Sequence, residues 1–168
     1  MLRVPVPDVL LPSVCQITPD FVRRLGIRLL LLDLDNTLVP YEADEPTAEV
    51  RAWLNSMAEA GAEPYIFSNN RGGRPAAFAQ KLGIGFVGRA KKPNPRRLWA
   101  LLAEKGVDKS AAALAGDQIY TDIFCARRAG VLAIAVRPIR MGKPHRAARY
   151  ALELPFRAAA RLRGNRYN

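Results

Sequence analysis

The chain has 168 residues, two cysteines and a formal net charge of +11; 49% of it is hydrophobic and 24% charged. That length fits one domain able to bury about 70% of the surface its unfolded chain exposes, with the composition of a soluble globular protein. No window approaches 18 consecutive apolar residues, which excludes a membrane-spanning helix. The N-terminal MLRVPVPDVLLPSVC is interrupted by Pro5, Pro7, Asp8 and Pro12 and lacks a signal-peptide layout. Cys15 and Cys125 are too few and too far apart for a metal knuckle and read as thiols in a reducing, cytoplasmic compartment.

Taken in order, residues 1–17 are apolar and Pro-punctuated, an extended segment packed on the core. A short helix follows, with Thr18 as N-cap, Pro19 in its first position and Gly26 past its end. Four leucines then run into Asp33, as RLLLLDLDNTLVP. The run suits a strand buried on both faces. Leucine is not a strong strand former, so the run by itself also fits a buried helix; the polar residues that end it favour the strand. Residues 39–46 form a loop. A helix starts near Pro46, with Ala48, Trp53, Leu54, Met57 and Ala58 on or near its apolar face, and stops at Gly61. Residues 63–68 make the second strand, 74–82 a helix and 84–87 a short third strand. Asn94 caps the next helix, with Pro95 first, Leu98, Leu101 and Leu102 as core stripe, and Gly106 after its end. Strand 112–115, helix 119–129 and strand 131–136 complete the alternation. The tail, 138–168, carries a helix over 145–163, bent or restarted at Pro155. This alternation predicts an α/β fold, a doubly wound, Rossmann-like parallel sheet with helices on both faces. The chain divides into an N-terminal segment (1–17), a core (18–140) and a basic helical tail (141–168).

Chemically loaded residues fall at the ends of successive strands, and in a parallel sheet those ends share one edge, where ligands bind. They are Asp33, Asp35 and Thr37; Ser68 and Asn69; Lys92 in the loop after the third strand; and Asp117, with Asp122 five residues on. Each alone has an ordinary reading: a polar turn, a surface lysine, a helix N-cap. Their joint arrival suits phosphoryl transfer. Asp33, Asp35 and Asp117 offer oxygens for Mg²⁺, a hard cation. Lys92 neutralises phosphoryl oxygens, and Ser68 and Thr37 donate hydrogen bonds to them. One carboxylate can attack phosphorus and a second move protons.

At these residues the sequence resembles the haloacid dehalogenase-like (HAD) phosphatases. DLDNT at 33–37, FSNN at 67–70, the KP of AKKPNP at 92–93 and GDQIYTD at 116–122 match that superfamily's four motifs in order. The resemblance spans about residues 10–140. It implies that Asp33 is the nucleophile and Asp35 the general acid/base. It also implies that Ser68 and Lys92 bind the phosphoryl group, and that Asp117 is a metal ligand with Asp122 close by. Lys92 matches rather than Lys91 because it directly precedes proline. GIRLLLLDLDNTLVP, the GDQIYTD spacing and the RAG after it are similar to the subclass IIIA branch called the YqeG family, whose relatives include phosphatidylglycerophosphate phosphatases. Only 34 residues separate Asp33 from Ser68, which leaves no room for a cap domain.

Charge is uneven. Residues 123–168 hold 11 basic residues against Glu153 alone, and residues 71–109 hold 10 against 2 acidic ones. An anionic partner is expected: a phosphorylated small molecule, a lipid headgroup, or nucleic acid as the weaker reading. In the tail, Tyr150, Leu152, Leu154, Phe156 and Leu162 alternate with Arg146, Arg149, Arg157, Arg161 and Arg163, a mixture that suits peripheral contact with an anionic membrane. The alternative is a helix packed on the core with its arginines outward. The expected activity is Mg²⁺-dependent phosphomonoester hydrolysis, on a lipid phosphate or on a soluble ester. A low-activity RNA or ribonucleoprotein binder is the competing class, and a second subunit covering an open site is a further expectation. Trp53 and Trp99 read as packing residues, His145 as a surface residue, and Tyr120 as the aromatic nearest the site.

Overall fold

A computed structural model describes residues 4–164. Six parallel strands form one sheet in the order β1-β6-β5-β2-β3-β4. They are β1 (Val9–Leu11), β2 (Leu29–Leu32), β3 (Glu63–Phe67), β4 (Gly85–Val87), β5 (Ala112–Gly116) and β6 (Leu132–Val136). The helices are α1 (Pro19–Arg24), α2 (Ala48–Glu59), α3 (Arg74–Leu82), α4 (Arg96–Lys105), α5 (Phe124–Ala129) and α6 (Pro144–Leu162). The leucine run is a strand. β2 lies between β5 and β3, with Leu32 opposite both Ala115 and Ile66, so its backbone is paired along both edges. Leu30 and Leu32 pack with Trp53, Met57 and Phe78 on one face; Leu29 and Leu31 pack with Phe67, Leu98 and Ile123 on the other. Burial on two faces overrides leucine's modest strand preference; each such side chain contributes roughly 1.5–3 kcal/mol.

Four expectations change. Within the N-terminal segment, Val9–Leu11 is a sixth strand, paired in parallel with β6. Three residues between prolines are too short a run to register as a strand, and an edge tolerates prolines. Asp8 fixes its start: Oδ2 accepts from the Ala133 N–H at 3.0 Å, and Oδ1 pairs with Arg127 at 2.5 Å. Second, the helix expected over 119–129 opens as a π-helical turn, Ile119–Ile123, before α5. Third, α6 runs through Pro155 without a break. Pro155 and Ala151 are both exposed, so the carbonyl that loses its N–H partner faces water. Fourth, Trp99 is half exposed, its Nε1 donating to the Ala129 carbonyl at 3.2 Å.

α6 lies against β1 and the π-helical turn. Its charged residues point inward: Arg146, Glu153 and Arg157 are buried, while Leu152, Leu154 and Leu162 are 67%, 49% and 89% exposed. This differs from the packed helix with its arginines outward: Arg146 and Arg157 face inward, although Arg161 is exposed. Arg157 donates to the carbonyls of Val136 and Asp117, and pairs with Glu153 at 3.4 Å, one turn back. Arginine's forked donors satisfy backbone oxygens at the end of β6 and just past β5 that no strand partner reaches.

Candidate active site

The carboxyl edge of the sheet gathers the predicted residues. Asp33 follows β2 directly, and its N–H continues the ladder to the Ala115 carbonyl at 2.9 Å. Its Oδ1 lies 2.6 Å from Lys92 Nζ, which lies 2.6 Å from Asp122 Oδ1 as well. All three side chains are buried. Burial alone would lower the Lys92 pKa, but Asp122 and Asp33 outweigh it and hold the ammonium above its ordinary value.

Asp117 stands just past β5. Thr37 Oγ1 accepts from the Asp117 N–H at 3.0 Å and donates to Asp117 Oδ1 at 3.4 Å. Asp117 Oδ2 accepts no hydrogen bond, although it is buried; Arg149 Nη2 faces it at 3.6 Å. Burial, then the charges of Asp33 and Asp122, push the Asp117 carboxyl up to about 8. Burial pushes Asp33 up to about 7, against the pull of Lys92 and with Asp122 and Asp35 adding to the rise. Oxygens of Asp33, Asp117 and Asp122 lie within 4.8 Å of one another. Three buried carboxylates this close, one with an unsatisfied oxygen, form a hard donor set that fits a divalent cation.

Asp122 therefore joins Asp33 and Asp117 in that group, rather than standing behind it. The π-helical turn is the cause. The N–H groups of Asp122 and Ile123 both donate to the Gln118 carbonyl, and Asp122 Oδ2 accepts from the Gln118 N–H at 3.0 Å. The widened turn carries the carboxylate back across β5, over Gly116. A Cβ on Gly116 would sit 2.4 Å from that carboxyl group.

Asp35, expected among the metal ligands, is outside the group. Its Oδ1 lies 2.7 Å from Arg74 Nε and its Oδ2 accepts from Asn70 Nδ2 at 3.1 Å. Arg74 also donates to the carbonyls of Pro40 and Ala43, so it ties α3 to the loop after β2. Asn69, expected on phosphate, has its amide on a backbone instead: Oδ1 accepts from the Lys92 N–H at 2.7 Å and Nδ2 donates to the Lys92 carbonyl at 3.0 Å. Ser68 is buried and its Oγ accepts from the Asn70 N–H at 3.1 Å. Tyr120 turns to α6, its hydroxyl donating to the Leu152 carbonyl at 3.1 Å and its ring edge-on to Phe156. Lys91 and His145 are exposed.

Sequence reasoning did not single out Arg74 or Tyr41, and it read Arg146 and Arg149 as tail residues rather than as neighbours of the site. Arg146 lies 3.9 Å over the Tyr41 ring and 3.7 Å from Glu42. No motif carries these residues. Asn36 offers a partial signal. It is fully buried with φ +70°, a conformation asparagine tolerates better than most residues. Its side chain exchanges hydrogen bonds with the backbone of Arg140, donating at 2.9 Å and accepting at 2.8 Å.

Comparison with known proteins agrees with this architecture. A family model described as HAD-hydrolase-like matches residues 89–150. The structure resembles a hypothetical protein of Xanthomonas campestris (TM-score 0.57, 18% identity, 79% of this chain and 78% of that one). It also resembles the cobalt-bound deoxy-D-mannose-octulosonate 8-phosphate phosphatase of Haemophilus influenzae (TM-score 0.55, 14% identity, 68% and 69%). At these identities the likeness is one of fold. The probable phosphatase YqeG of Bacillus subtilis is 31% identical over 134 residues, 80% of this chain and 78% of that protein. With the strand-end carboxylates and their lysine on one sheet edge, and with that length of shared sequence, the chain belongs to the YqeG family of HAD-like phosphatases.

Proposed function

We propose that the protein is a Mg²⁺-dependent phosphomonoester hydrolase working through a phosphorylated Asp33. The observation that carries this is the buried Asp33 carboxylate at the tip of the central strand, held at Oδ1 by Lys92 and grouped with Asp117 and Asp122. Asp33, Asp117 and Asp122 would hold the cation, which supplies charge neutralisation to a dianionic ester. Lys92 and the Ser68 hydroxyl bind phosphoryl oxygens. Asn69 and Thr37 act at one remove, fixing the Lys92 backbone and the Asp117 carboxylate.

Asp33 attacks phosphorus through its other oxygen, the ester P–O bond breaks, and Asp35 gives its proton to the leaving alkoxide. Asp35 then takes a proton from water, whose oxygen attacks phosphorus, frees inorganic phosphate and restores the Asp33 carboxylate. For this Asp35 must exchange its contacts with Arg74 and Asn70 for the substrate.

The substrate class favoured is a lipid phosphate such as phosphatidylglycerophosphate, met at an anionic membrane surface. The outward face of α6 supports this. Ala147, Ala148, Ala151, Leu152, Leu154, Pro155, Ala158 and Leu162 are all exposed there. Ile139 and Met141 are exposed just before it, among the exposed Arg137, Arg140 and Lys143. The one acid in this part of the chain, Glu153, is buried. Among the described residues no helix is long and apolar enough to cross a membrane, so the contact is peripheral.

The test is hydrolysis by purified protein with Mg²⁺ across lipid and soluble phosphomonoesters, with Asp33→Asn as blank. Asp33→Asn should abolish turnover and Asp35→Asn lower it about 10²–10⁴-fold. Wild-type protein inert toward every ester would reject the hydrolase reading. Turnover of soluble esters alone would reject the lipid.

A further inference from the structure

Turning arginines inward is costly, and each needs a physical reason. Arg157 has one, in the carbonyls of Val136 and Asp117. Arg149 does not. Its Nε is buried and makes no hydrogen bond. Its charged neighbours, Asp117 at 3.6 Å and Glu153 at 4.0 Å, lie beyond hydrogen-bonding distance. Glu153 Oε1 is equally without a hydrogen-bond partner. A forked donor is thus held beside the carboxylate group with its hydrogen-bonding capacity largely unspent.

Arg146 stands one turn earlier on the same helix face, a spacing of about 5–6 Å between Cβ atoms. It is stacked on Tyr41 and only loosely paired with the exposed Glu42. Tyr41 itself comes from the loop after β2. Burial, followed by the negative charge of Asp117, holds its phenol above the ordinary value. Asp117 is approached from two sides: Thr37 on Oδ1, with the nucleophile's loop, and Arg149 on Oδ2, with α6. The phosphoryl group already has Lys92 and a divalent cation. Two further guanidinium groups, on the α6 side of Asp117, exceed what one phosphoryl group requires.

We propose that Arg149 and Arg146, the latter stacked on Tyr41, form a second anion subsite beside Asp117. It receives a negatively charged group on the alcohol part of the substrate. The ligand class is a phosphomonoester with a second anion, a phosphodiester or a carboxylate, a few bonds from the ester oxygen. Arginine suits it because its planar fork takes two oxygens of such a group at once. The subsite rests on the phosphatase reading of the site, and it makes that reading selective.

Two substrate pairs test it, one soluble and one lipid. 3-Phosphoglycerate and glycerol 3-phosphate differ in a carboxylate against an alcohol. Phosphatidylglycerophosphate and phosphatidic acid, each in neutral vesicles, differ in a second phosphate. Wild-type kcat/KM should favour the doubly anionic member of at least one pair by about tenfold to a hundredfold, the span of a charged hydrogen bond. The pair that shows the preference identifies the source of the anion. Arg149→Gln should bring the ratio close to one, mostly through KM, and Arg149→Lys should restore part of it.

Calorimetry on the Asp33→Asn protein with Mg²⁺, with and without Arg149→Gln, measures the same ratio without turnover. A wild-type protein that hydrolyses nothing would therefore sink the proposed function while the subsite is still judged by binding. No preference in either pair, or equal losses for both members on Arg149→Gln, would overturn the subsite.

Discussion

Asp33, Asp117 and Asp122 share a space in which three ionised carboxylates repel one another, and among the described residues only Lys92 lies within ion-pair distance of two of them. Two of the three have pKa values raised far above the usual carboxylate range, to about 7 for Asp33 and about 8 for Asp117. The sign follows from linkage: a group that binds its proton more tightly when folded stabilises the protein at low pH and loses that contribution as pH rises through the folded value. Without a divalent ion, stability should fall from about pH 4 to about pH 8. Thermal melts in chelator should show the decline; added Mg²⁺ should flatten it, and Asp117→Asn should reduce it. A flat profile in chelator would mean that the cluster is not strained by its charge. Asp33 and Asp117 were legible because each ends a recognisable apolar run, and Lys92 and Asp122 because they fall in motifs that follow such runs. Their supports were not. Arg74 lies 39 positions from Asp35 and Asn69 lies 23 from Lys92, and no local pattern encodes a side chain that reaches across the sheet edge.

At the scale of elements, the alternation of strand and helix was readable because both periodicities are strong there. The boundaries of β2, α2, α3 and β5 follow from buried runs and their caps. What escaped was structure set by tertiary contact. β1 exists because β6 offers an open edge. The π-helical turn comes together with the contacts of Asp122 to Lys92 and the Gln118 N–H, and such widened turns recur at functional sites. Gly116 is the hinge of that arrangement. Gly116→Ala would drive a methyl group into the Asp122 carboxylate, so it should cost about 1–3 kcal/mol in denaturant unfolding and reduce turnover as well. Unchanged stability and rate would show that Asp122 can retreat without consequence.

For the molecule as a whole, the basic C-terminal part was visible in composition, but its orientation was not. A helical wheel with arginines and leucines in nearly equal number does not say which side faces the core, and the usual preference would bury the leucines. Here the sheet edge presents carbonyls and carboxylates that arginine satisfies, and the leucines are displaced outward. The result is an outward apolar face on a helix whose one acid, Glu153, is buried. Leu152→Glu with Leu154→Glu should weaken sedimentation with anionic vesicles while leaving hydrolysis of a soluble aryl phosphate unchanged. Equal binding by wild type and variant would place membrane contact elsewhere.

Asn36 and Arg140 are 104 positions apart, yet the asparagine that follows both motif carboxylates is hydrogen-bonded through its side chain to that segment. The Ile139 and Arg140 amides both donate to it, one to its carbonyl at 3.0 Å and one to its Oδ1. Neither amide can exchange with solvent until that clasp opens, so their deuterium uptake times the opening of the nucleophile's own loop. A segment that looks peripheral in the sequence is thereby tied to the loop that carries Asp33, and a nick between β6 and α6 should loosen the catalytic loop from a distance.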